Sequence, residues 1–352
     1  MAGALELAGR GLYTATPNPR VGCVIVRNGA VAGEGWHERA GAPHAEVNAL
    51  AVAGAKARGA TAYVTLEPCV HQGRTGPCTD ALVKAGVARV IAAMQDPNPL
   101  VSGKGLETLG QAGIETAVGL MEPEARELNI GFVSRMTRGR PWVRMKVAAS
   151  LDGRTALTNG LSQWITGEAA RRDGHHWRAR ACAVLTGVGT VREDDPRLTV
   201  REAATTRQPL RVVVDSRLET PAGAKILEGG GVLVAAARED AGKIAALRAR
   251  GAEVVVMPNR EGKVELGGLF RELARRGMNE VHVEAGFRLN GSLVREGMVD
   301  ELLVYFAPCL IGDKALGMFE LPELADLAGR RELRIGDVRM VGADIRVLAR
   351  FA

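Results

Sequence analysis

Whatever fold this chain adopts must bring three potential metal ligands to one point: His44, Cys69 and Cys78. They sit in short motifs, His44-Ala45-Glu46, Pro68-Cys69 and Pro77-Cys78. One imidazole and two thiolates leave a position open on tetrahedral zinc, and an open position separates a catalytic site from a structural one. Glu46, two residues after the histidine, stands where it can move protons beside the metal without binding it. A structural zinc would want a fourth protein ligand, and His71 is the candidate nearby. His44 follows Pro43 and is expected to open a helix through Val47, Leu50 and Ala51. Cys69 and Cys78 each follow a proline, a common helix start, and helix N-termini favour the thiolate that binds metal.

A His-x-Glu unit followed by Pro-Cys units is the layout of zinc-dependent deaminases of bases. Zinc would lower the pKa of a bound water toward about 7. Glu46 would take its proton and return it to the ring nitrogen and the departing ammonia. The eight positions Val70 to Pro77 separate the cysteines, where nucleoside and nucleic-acid deaminases have about two. That loop carries His71 and Arg74, suited to a phosphate or a polar base edge.

At 352 residues the chain has room for two domains with separate cores. No apolar run approaches the roughly 20 residues of a membrane span, and the start, Met1-Ala2-Gly3-Ala4-Leu5-Glu6, is not expected to be a secretory signal. Of five cysteines, Cys23, Cys182 and Cys309 lie among apolar residues and are expected as buried free thiols in a reducing cytoplasm. The net charge of +6 comes without a basic tail and with few aromatics, so neither nucleic acid nor membrane is an expected partner. The arginine surplus fits a phosphorylated small molecule.

Short apolar runs alternate with helical stretches. Strands are expected over 21–26, 62–66 and 87–93, and helices over 46–58 and 79–85, giving an α/β sandwich around a mixed sheet. A helix followed by a connector is expected over 122–140, which ends in Gly139-Arg140-Pro141, with the domain boundary there: 1–140 and 141–352. The second half offers strands over 142–148, 183–186, 210–215, 231–236, 253–256, 280–284 and 301–307. Runs such as Arg211-Val212-Val213-Val214-Asp215 suit strands covered on both faces.

Longer motifs make the pattern specific. The first half contains Thr16-Pro17-Asn18-Pro19-Arg20-Val21-Gly22-Cys23, Gly35-Trp36-His37, Pro43-His44-Ala45-Glu46 and Leu66-Glu67-Pro68-Cys69 through Gly73-Arg74-Thr75 to Pro77-Cys78. The second half contains Lys146-Val147-Ala148-Ala149-Ser150-Leu151-Asp152-Gly153, Ser162-Gln163-Trp164-Ile165-Thr166-Gly167 and Gly187-Val188-Gly189-Thr190-Val191. Asp194-Asp195-Pro196-Arg197-Leu198-Thr199 and Val283-Glu284-Ala285-Gly286 follow. Over nearly its whole length the chain resembles the bifunctional deaminase-reductases of riboflavin biosynthesis, whose cysteine spacing it shares. The resemblance implies an N-terminal cytidine-deaminase-like α/β/α sandwich and a C-terminal dihydrofolate-reductase-like α/β domain. It implies Zn2+ and NADPH as cofactors and a phosphorylated pyrimidine as substrate, deaminated first and then reduced from ribosyl to ribityl. A homo-oligomer is the expected assembly. The competing reading is a zinc deaminase of a nucleoside or nucleic acid with an inert second domain. The long cysteine loop and the second-half motifs argue against it.

Carried over residue by residue, the resemblance makes His44, Cys69 and Cys78 the zinc ligands and Glu46 the proton shuttle. Asn18, His37, His71 and Arg74 match substrate positions. Lys146 and Glu284, each expected at the carboxyl end of a strand where open α/β sheets place ligands, are expected at the reacting carbon, Lys146 meeting the ring-opened sugar (or else only a phosphate or the surface) and Glu284 contacting substrate and orienting the amine or relaying a proton. Ser162, Arg178, Leu198 and Arg201 match substrate positions, the arginines for phosphate. Ala148, Trp164, Thr190, Asp194 and Ser216 match cofactor positions. Gly286, Phe287, Arg288, Leu289, Asn290, Gly291 and Ser292 would wrap the cofactor phosphates with backbone amides at a helix start. Gly187-x-Gly189 lacks the rest of a dinucleotide fingerprint, so a Rossmann fold is not expected. Leu161 and Phe287 depart from the family pattern beside the reductase pocket, and His175-His176 are expected as ordinary polar positions.

Overall fold

The computed structural model describes residues 1–70 and 76–351. His71 and Arg74 lie outside the described residues. The chain divides into two compact units, Met1–Arg140 and Pro141–Ala352. In the first, the order is α1 (Ala2–Arg10), β1 (Gly22–Arg27), β2 (Ala30–Trp36), α2 (Ala45–Ala53), β3 (Thr61–Val64), α3 (Cys78–Ala85), β4 (Arg89–Ala92), α4 (Lys104–Gln111), β5 (Glu115–Val118), α5 (Glu122–Leu128) and α6 (Ile130–Arg138). Among the described residues its five-stranded sheet runs β2-β1-β3-β4-β5. β1 is antiparallel to both β2 and β3, and the rest are parallel. Alternate residues of β1 feed two cores: Cys23 and Ile25 meet α2, α3 and α4, while Val24 meets α1. Helices therefore cover both faces, an α/β/α sandwich.

The contact of α2 with β2 sets the geometry of this unit. Ala45, Ala49 and Ala53 repeat every fourth residue and are buried, so one flat face of the helix lies on the sheet. Gly33 and Gly35 of β2 meet that face. A Cβ at Gly35 would lie 2.4 Å from Ala49 N and 2.6 Å from Ala45 O, and one at Gly33 2.3 Å from Ala49 O. Only hydrogen fits. Two expected helices are shorter than the sequence suggests. The helix over 46–58 stops at Gly54, whose φ of 53° is left-handed, and continues as one 3-10 turn over Gly54–Ala57. The single helix over 122–140 is two, broken at Asn129. The Asn129 side chain accepts from Arg20 N–H (2.8 Å) and donates to Arg20 O (2.9 Å), and the Arg20 guanidinium donates to Leu128 O at 2.7 Å. These bonds add to the backbone ones that Asn129 keeps, its N–H to Ala125 O at 3.2 Å and its carbonyl from Val133 N–H at 2.9 Å.

The second unit contains β6 (Trp142–Ser150), β7 (Arg154–Ala156), α7 (Glu168–Arg180), β8 (Ala183–Gly187), α8 (Val188–Asp194), β9 (Leu210–Val214), β10 (Val232–Ala236), α9 (Ala241–Ala249) and β11 (Ala252–Val256). It continues with α10 (Leu266–Arg275), β12 (Glu280–Val283), α11 (Phe287–Arg295), β13 (Glu301–Ala307), β14 (Leu316–Gly317), β15 (Leu333–Val341) and β16 (Asp344–Phe351). The main sheet runs β11-β10-β9-β8-β12-β6-β13-β16-β15. It is parallel through β13, and β16 and β15 add antiparallel. One face buries Met145, Leu185 and Val283 against Phe270 of α10 and Leu293 of α11. The other buries Val184, Val213 and Val234 against Val191 of α8 and Leu247 of α9. Cys23 and Cys182 are buried as expected, but Cys309 is exposed on the loop after β13.

Replacing Gly35 by alanine should force α2 off the sheet and cost the N-terminal unit about 1–3 kcal/mol. Urea unfolding of full-length protein should show the first unit's transition moved down and the second unchanged. An unmoved first transition would contradict the packing argument.

Candidate active sites

His44 precedes α2 in an extended conformation, and Cys78 is the first residue of α3. Cys69 starts no helix. It lies in irregular chain beyond β3, where its carbonyl accepts from the Thr79 N–H and Oγ1–H, each at 3.3 Å. The α3 start thus organises both cysteines. His44 Nδ1 is 3.2 Å from Cys78 Sγ and 3.5 Å from Cys69 Sγ, and the three ligand atoms lie within 4.8 Å of one another. Tetrahedral zinc spaces a nitrogen and a sulfur ligand by roughly 3.5 Å, so the donor set and its spacing fit zinc.

The electrostatics match. The Cys69 thiol is pushed down to about 4, chiefly by the hydrogen bond from the Cys78 thiol, against burial and with help from His44. Cys78 moves up as the partner that keeps the shared proton, and burial adds to this. The Cys69 hydrogen bond raises His44 against burial. Glu46, in the first turn of α2 and 3% exposed, is held above the ordinary carboxylate range by burial.

His44, Glu46 and Cys69 line a cavity of about 240 Å³ together with Asn18 and His37. The Asn18 amide Nδ2–H donates to His37 Nε2 at 3.0 Å, and His37 Nδ1–H donates to Pro43 O at 3.1 Å. Burial lowers the pKa of His37 and favours the neutral ring. The cavity wall also holds Glu67, Asp96, Asn98 and Arg135, which reading the sequence alone does not single out as site residues. Glu67 accepts four backbone N–H bonds, from Asp96, Gly103, Gly105 and Leu106, at 3.0, 2.9, 2.8 and 3.3 Å. It fastens the start of α4 and the turn before it to the segment carrying Cys69. Asp96 is pushed up to about 6, first by burial and then by Glu67 and Cys69. The turn signal Asp96-Pro97-Asn98-Pro99 could have pointed to these residues.

In the second unit Lys146, Arg178 and Glu284 come together. Arg178 donates to both oxygens of Glu284, through Nε–H and, at 2.9 Å, through Nη2–H. Lys146 Nζ is 3.9 Å from the same carboxylate. Burial alone would raise Glu284, but Arg178, His282 and Lys146 hold it well below the ordinary carboxylate range. Burial lowers Lys146, with Arg178 adding to it against Glu284. Lys146 does not end its strand. It sits inside β6, because that strand runs on to Ser150 to pair with β13. It does lie level with the end of its neighbour β12, whose last partner pair is Val283 and Met145. Glu284 follows directly.

Arg178 Nη1–H also donates to Thr199 O at 3.3 Å, beside Leu198, which is buried with a left-handed φ of 49°. Arg201 donates its backbone N–H to His175 Nδ1 at 3.3 Å. His175 is therefore not an ordinary polar position. It is buried and pushed down to about 4, first by burial and then by Arg178 and Arg201. Asp194 accepts from Ser162 Oγ–H at 3.2 Å, and exposed Trp164 stacks under Arg171 at 4.7 Å. A Cβ on Gly286 would lie 3.7 Å from Thr190 Oγ1, so the starts of α8 and α11 adjoin. Ala148 is half-buried in β6, and Ser216 Oγ accepts from Val264 N–H at 3.2 Å.

The segment Gly286 to Ser292 is a helix start as expected, but only part of it can offer free amides. Asn290 N–H already donates to Gly286 O at 3.1 Å, and Gly291 and Ser292 follow it inside the helix. Asn290 and Gly291 face inward: the Asn290 amide donates to Met318 O at 3.3 Å, and a Cβ on Gly291 would meet Glu320 O at 2.1 Å. Phe287, Arg288 and Leu289 remain for an anion, beside the Arg288 cation. That arrangement fits a phosphorylated cofactor.

Comparison with known proteins agrees. Residues 141–347 match the model of the RibD C-terminal domain, and residues 1–94 match the cytidine and deoxycytidylate deaminase zinc-binding region. The riboflavin biosynthesis protein RibD of Escherichia coli K12 is 48% identical, over 98% of this chain and 96% of its own length. The chain belongs to the RibD family. The solved structure of Acinetobacter baumannii RibD, form 1, superposes with a TM-score of 0.93 at 45% identity, covering 99% of this chain and 97% of that one. A Thermotoga maritima structure described as a diaminohydroxyphosphoribosylaminopyrimidine deaminase/5-amino-6-(5-phosphoribosylamino)uracil reductase superposes at 0.87 with 32% identity, covering 99% and 97%.

Glu284→Gln should leave the Arg178 charge unmatched in a site where both side chains are at most 15% exposed. Loss of one partner from such a pair costs about 3–5 kcal/mol, read as a lower urea midpoint for the second unit. Because folding depresses the Glu284 pKa, its contribution is present above the unfolded carboxyl value and fades as pH falls through the folded one. The difference between wild type and variant should therefore be full at pH 6 to 7, begin to shrink as pH drops below about 4.5, and be lost once pH passes the depressed folded value.

Proposed function

We propose that the first unit hydrolytically deaminates the phosphoribosylamino-diaminopyrimidinone named for the Thermotoga relative, and that the second reduces the ribosyl arm of the deaminated product to a ribityl chain. The observation that carries this reading is the gathering of His44, Cys69 and Cys78, with His44, Cys69 and a buried Glu46 lining one cavity, in a chain whose residues 141–347 match the RibD C-terminal domain.

His44, Cys69 and Cys78 hold zinc, which supplies an activated water nucleophile when bound. Glu46 takes a first proton from the attacking water at its carboxylate and gives it to the ring nitrogen, then takes the second from the new hydroxyl and gives it to the amino group, which leaves as ammonia; its raised pKa suits both transfers. Asn18 reads a polar edge of the substrate. His71 and Arg74 meet its phosphoribosyl arm.

In the second unit NADPH supplies the hydride. Lys146, partly desolvated, places its ammonium against the opened sugar, and Glu284 orients both Lys146 and Arg178. Arg178 and Arg201 take the substrate phosphate, with Ser162 and Leu198 beside them. The first turn of α11 and Thr190 take the cofactor phosphates, and Ala148, Trp164, Asp194 and Ser216 line its path. We also propose a cytoplasmic homo-oligomer that binds neither nucleic acid nor membrane. All five cysteines are free, and Ile335, Val338 and Met340 of edge strand β15 are each more than half exposed. Among the described residues no helix is long and apolar enough to cross a membrane.

A reciprocal pair of variants tests the division of labour. Glu46→Gln should retain zinc but lose ammonia release by about 10²–10⁴-fold, while still oxidising NADPH when given the deaminated intermediate. Lys146→Gln should release ammonia at the wild-type rate and lose NADPH oxidation. Failure of zinc-loaded wild type to release ammonia would overturn the reading.

A further inference from the structure

The N-terminal cavity contains a pair of side chains whose hydrogen bonding fixes a direction. His37 Nδ1 faces Pro43 O at 3.1 Å. A carbonyl oxygen can only accept, so Nδ1 carries the ring proton, and a neutral imidazole then presents Nε2 as an acceptor. Asn18 meets Nε2 at 3.0 Å. Only the amino side of an amide can donate to it, so the Asn18 Oδ1 is turned away from His37.

His37 itself is held. Its backbone N–H donates to Val21 O at 2.9 Å. Its ring stands edge-on to His44, with centroids 5.4 Å apart, and is 3% exposed. Asn18 lines the cavity with Glu46 and His44.

We propose that His37 is a positioning residue that acts through Asn18, presenting the amide to the substrate as an acceptor and not as a donor. The site then selects a substrate with a hydrogen-bond donor at that point, an amino or hydroxyl group, and disfavours one with a carbonyl there. An amide left free would face the substrate either way, and half of its orientations would set like against like. The inference rests on the deaminase reading of the cavity and specifies how that cavity reads its substrate.

The test is steady-state ammonia release by zinc-loaded full-length protein, with zinc content and reductase activity on the deaminated intermediate as controls for folding. His37→Phe should raise KM by about 10-fold, the value of one hydrogen bond, with a smaller change in kcat. His37→Gln, whose Oε1 can accept the same bond, should stay near wild type. The decisive variant is His37→Phe combined with Asn18→Asp. A carboxylate presents an acceptor whichever way it turns, so KM should return toward the wild-type value. If His37 only packs against His44, the second substitution repairs nothing, and a KM no lower than that of His37→Phe alone would overturn the proposal. An Asn18→Ala variant with wild-type KM would overturn it equally. A 2′-deoxyribosyl substrate separates the two donor classes: the Asn18→Ala effect vanishes on it if the donor is that hydroxyl and persists if it is an amino group. Wild type inactive in deamination would sink the functional reading instead, so the two failures are distinguishable.

Discussion

The first site depends on how closely α2 approaches β2. With hydrogen alone at Gly33 and Gly35, the Ala45-Ala49-Ala53 face lies flat on the sheet. That contact fixes the level at which His44 and Glu46 emerge. The other two ligands are brought in by the start of α3, which carries Cys78 and bonds the carbonyl of Cys69. Glu67 then ties the Asp96–Leu106 segment to the chain beside Cys69, so one carboxylate joins the cavity wall to the segment carrying a metal ligand. A site of this kind is pre-organised by packing and backbone hydrogen bonds, which cost little to maintain once the sandwich has formed.

The second unit solves a different problem. It holds several charges near one point by pairing them. Arg178 and Glu284 neutralise each other, and Lys146 stands beside them with its charge made less favourable by burial. Placement at the level where β12 ends and β6 continues opens the cluster toward the carboxyl edge of a parallel sheet, where ligands gather in open α/β folds. Thr190 and Gly286 bring two further helix starts to the same edge.

What the sequence discloses follows from how local each determinant is. His44, Cys69 and Cys78 stand in short motifs, so their convergence can be expected before any fold is known. The parallel strands announce themselves as continuous apolar runs such as Arg211 to Val214. β2 does not, because Ala30–Trp36 carries the two glycines that the α2 contact demands, and glycine argues against a strand. β15 and β16 are missed because they lie at the sheet's antiparallel end and contain no continuous apolar run. Glu67 escapes notice because its partners are backbone amides far along the chain, which leave no side-chain pattern. The same holds for Asn129, whose bond to Arg20 breaks a helix that the sequence reads as continuous. Lys146 is read as near a strand end because the expected strand stops at Ala148, yet pairing with β13 carries the strand to Ser150.

Two reactions in fixed order on one chain leave a signature in product stoichiometry. Zinc-loaded wild type would be given the phosphoribosylamino-diaminopyrimidinone with and without NADPH, and products followed by mass spectrometry. With NADPH, each ammonia released should be matched by one NADP+ and one ribityl product. Without it, the deaminated ribosyl compound should accumulate. A ribityl product that still carries both amino groups of the diaminopyrimidinone, or NADPH consumption without ammonia, would contradict the order and the assignment of the two sites.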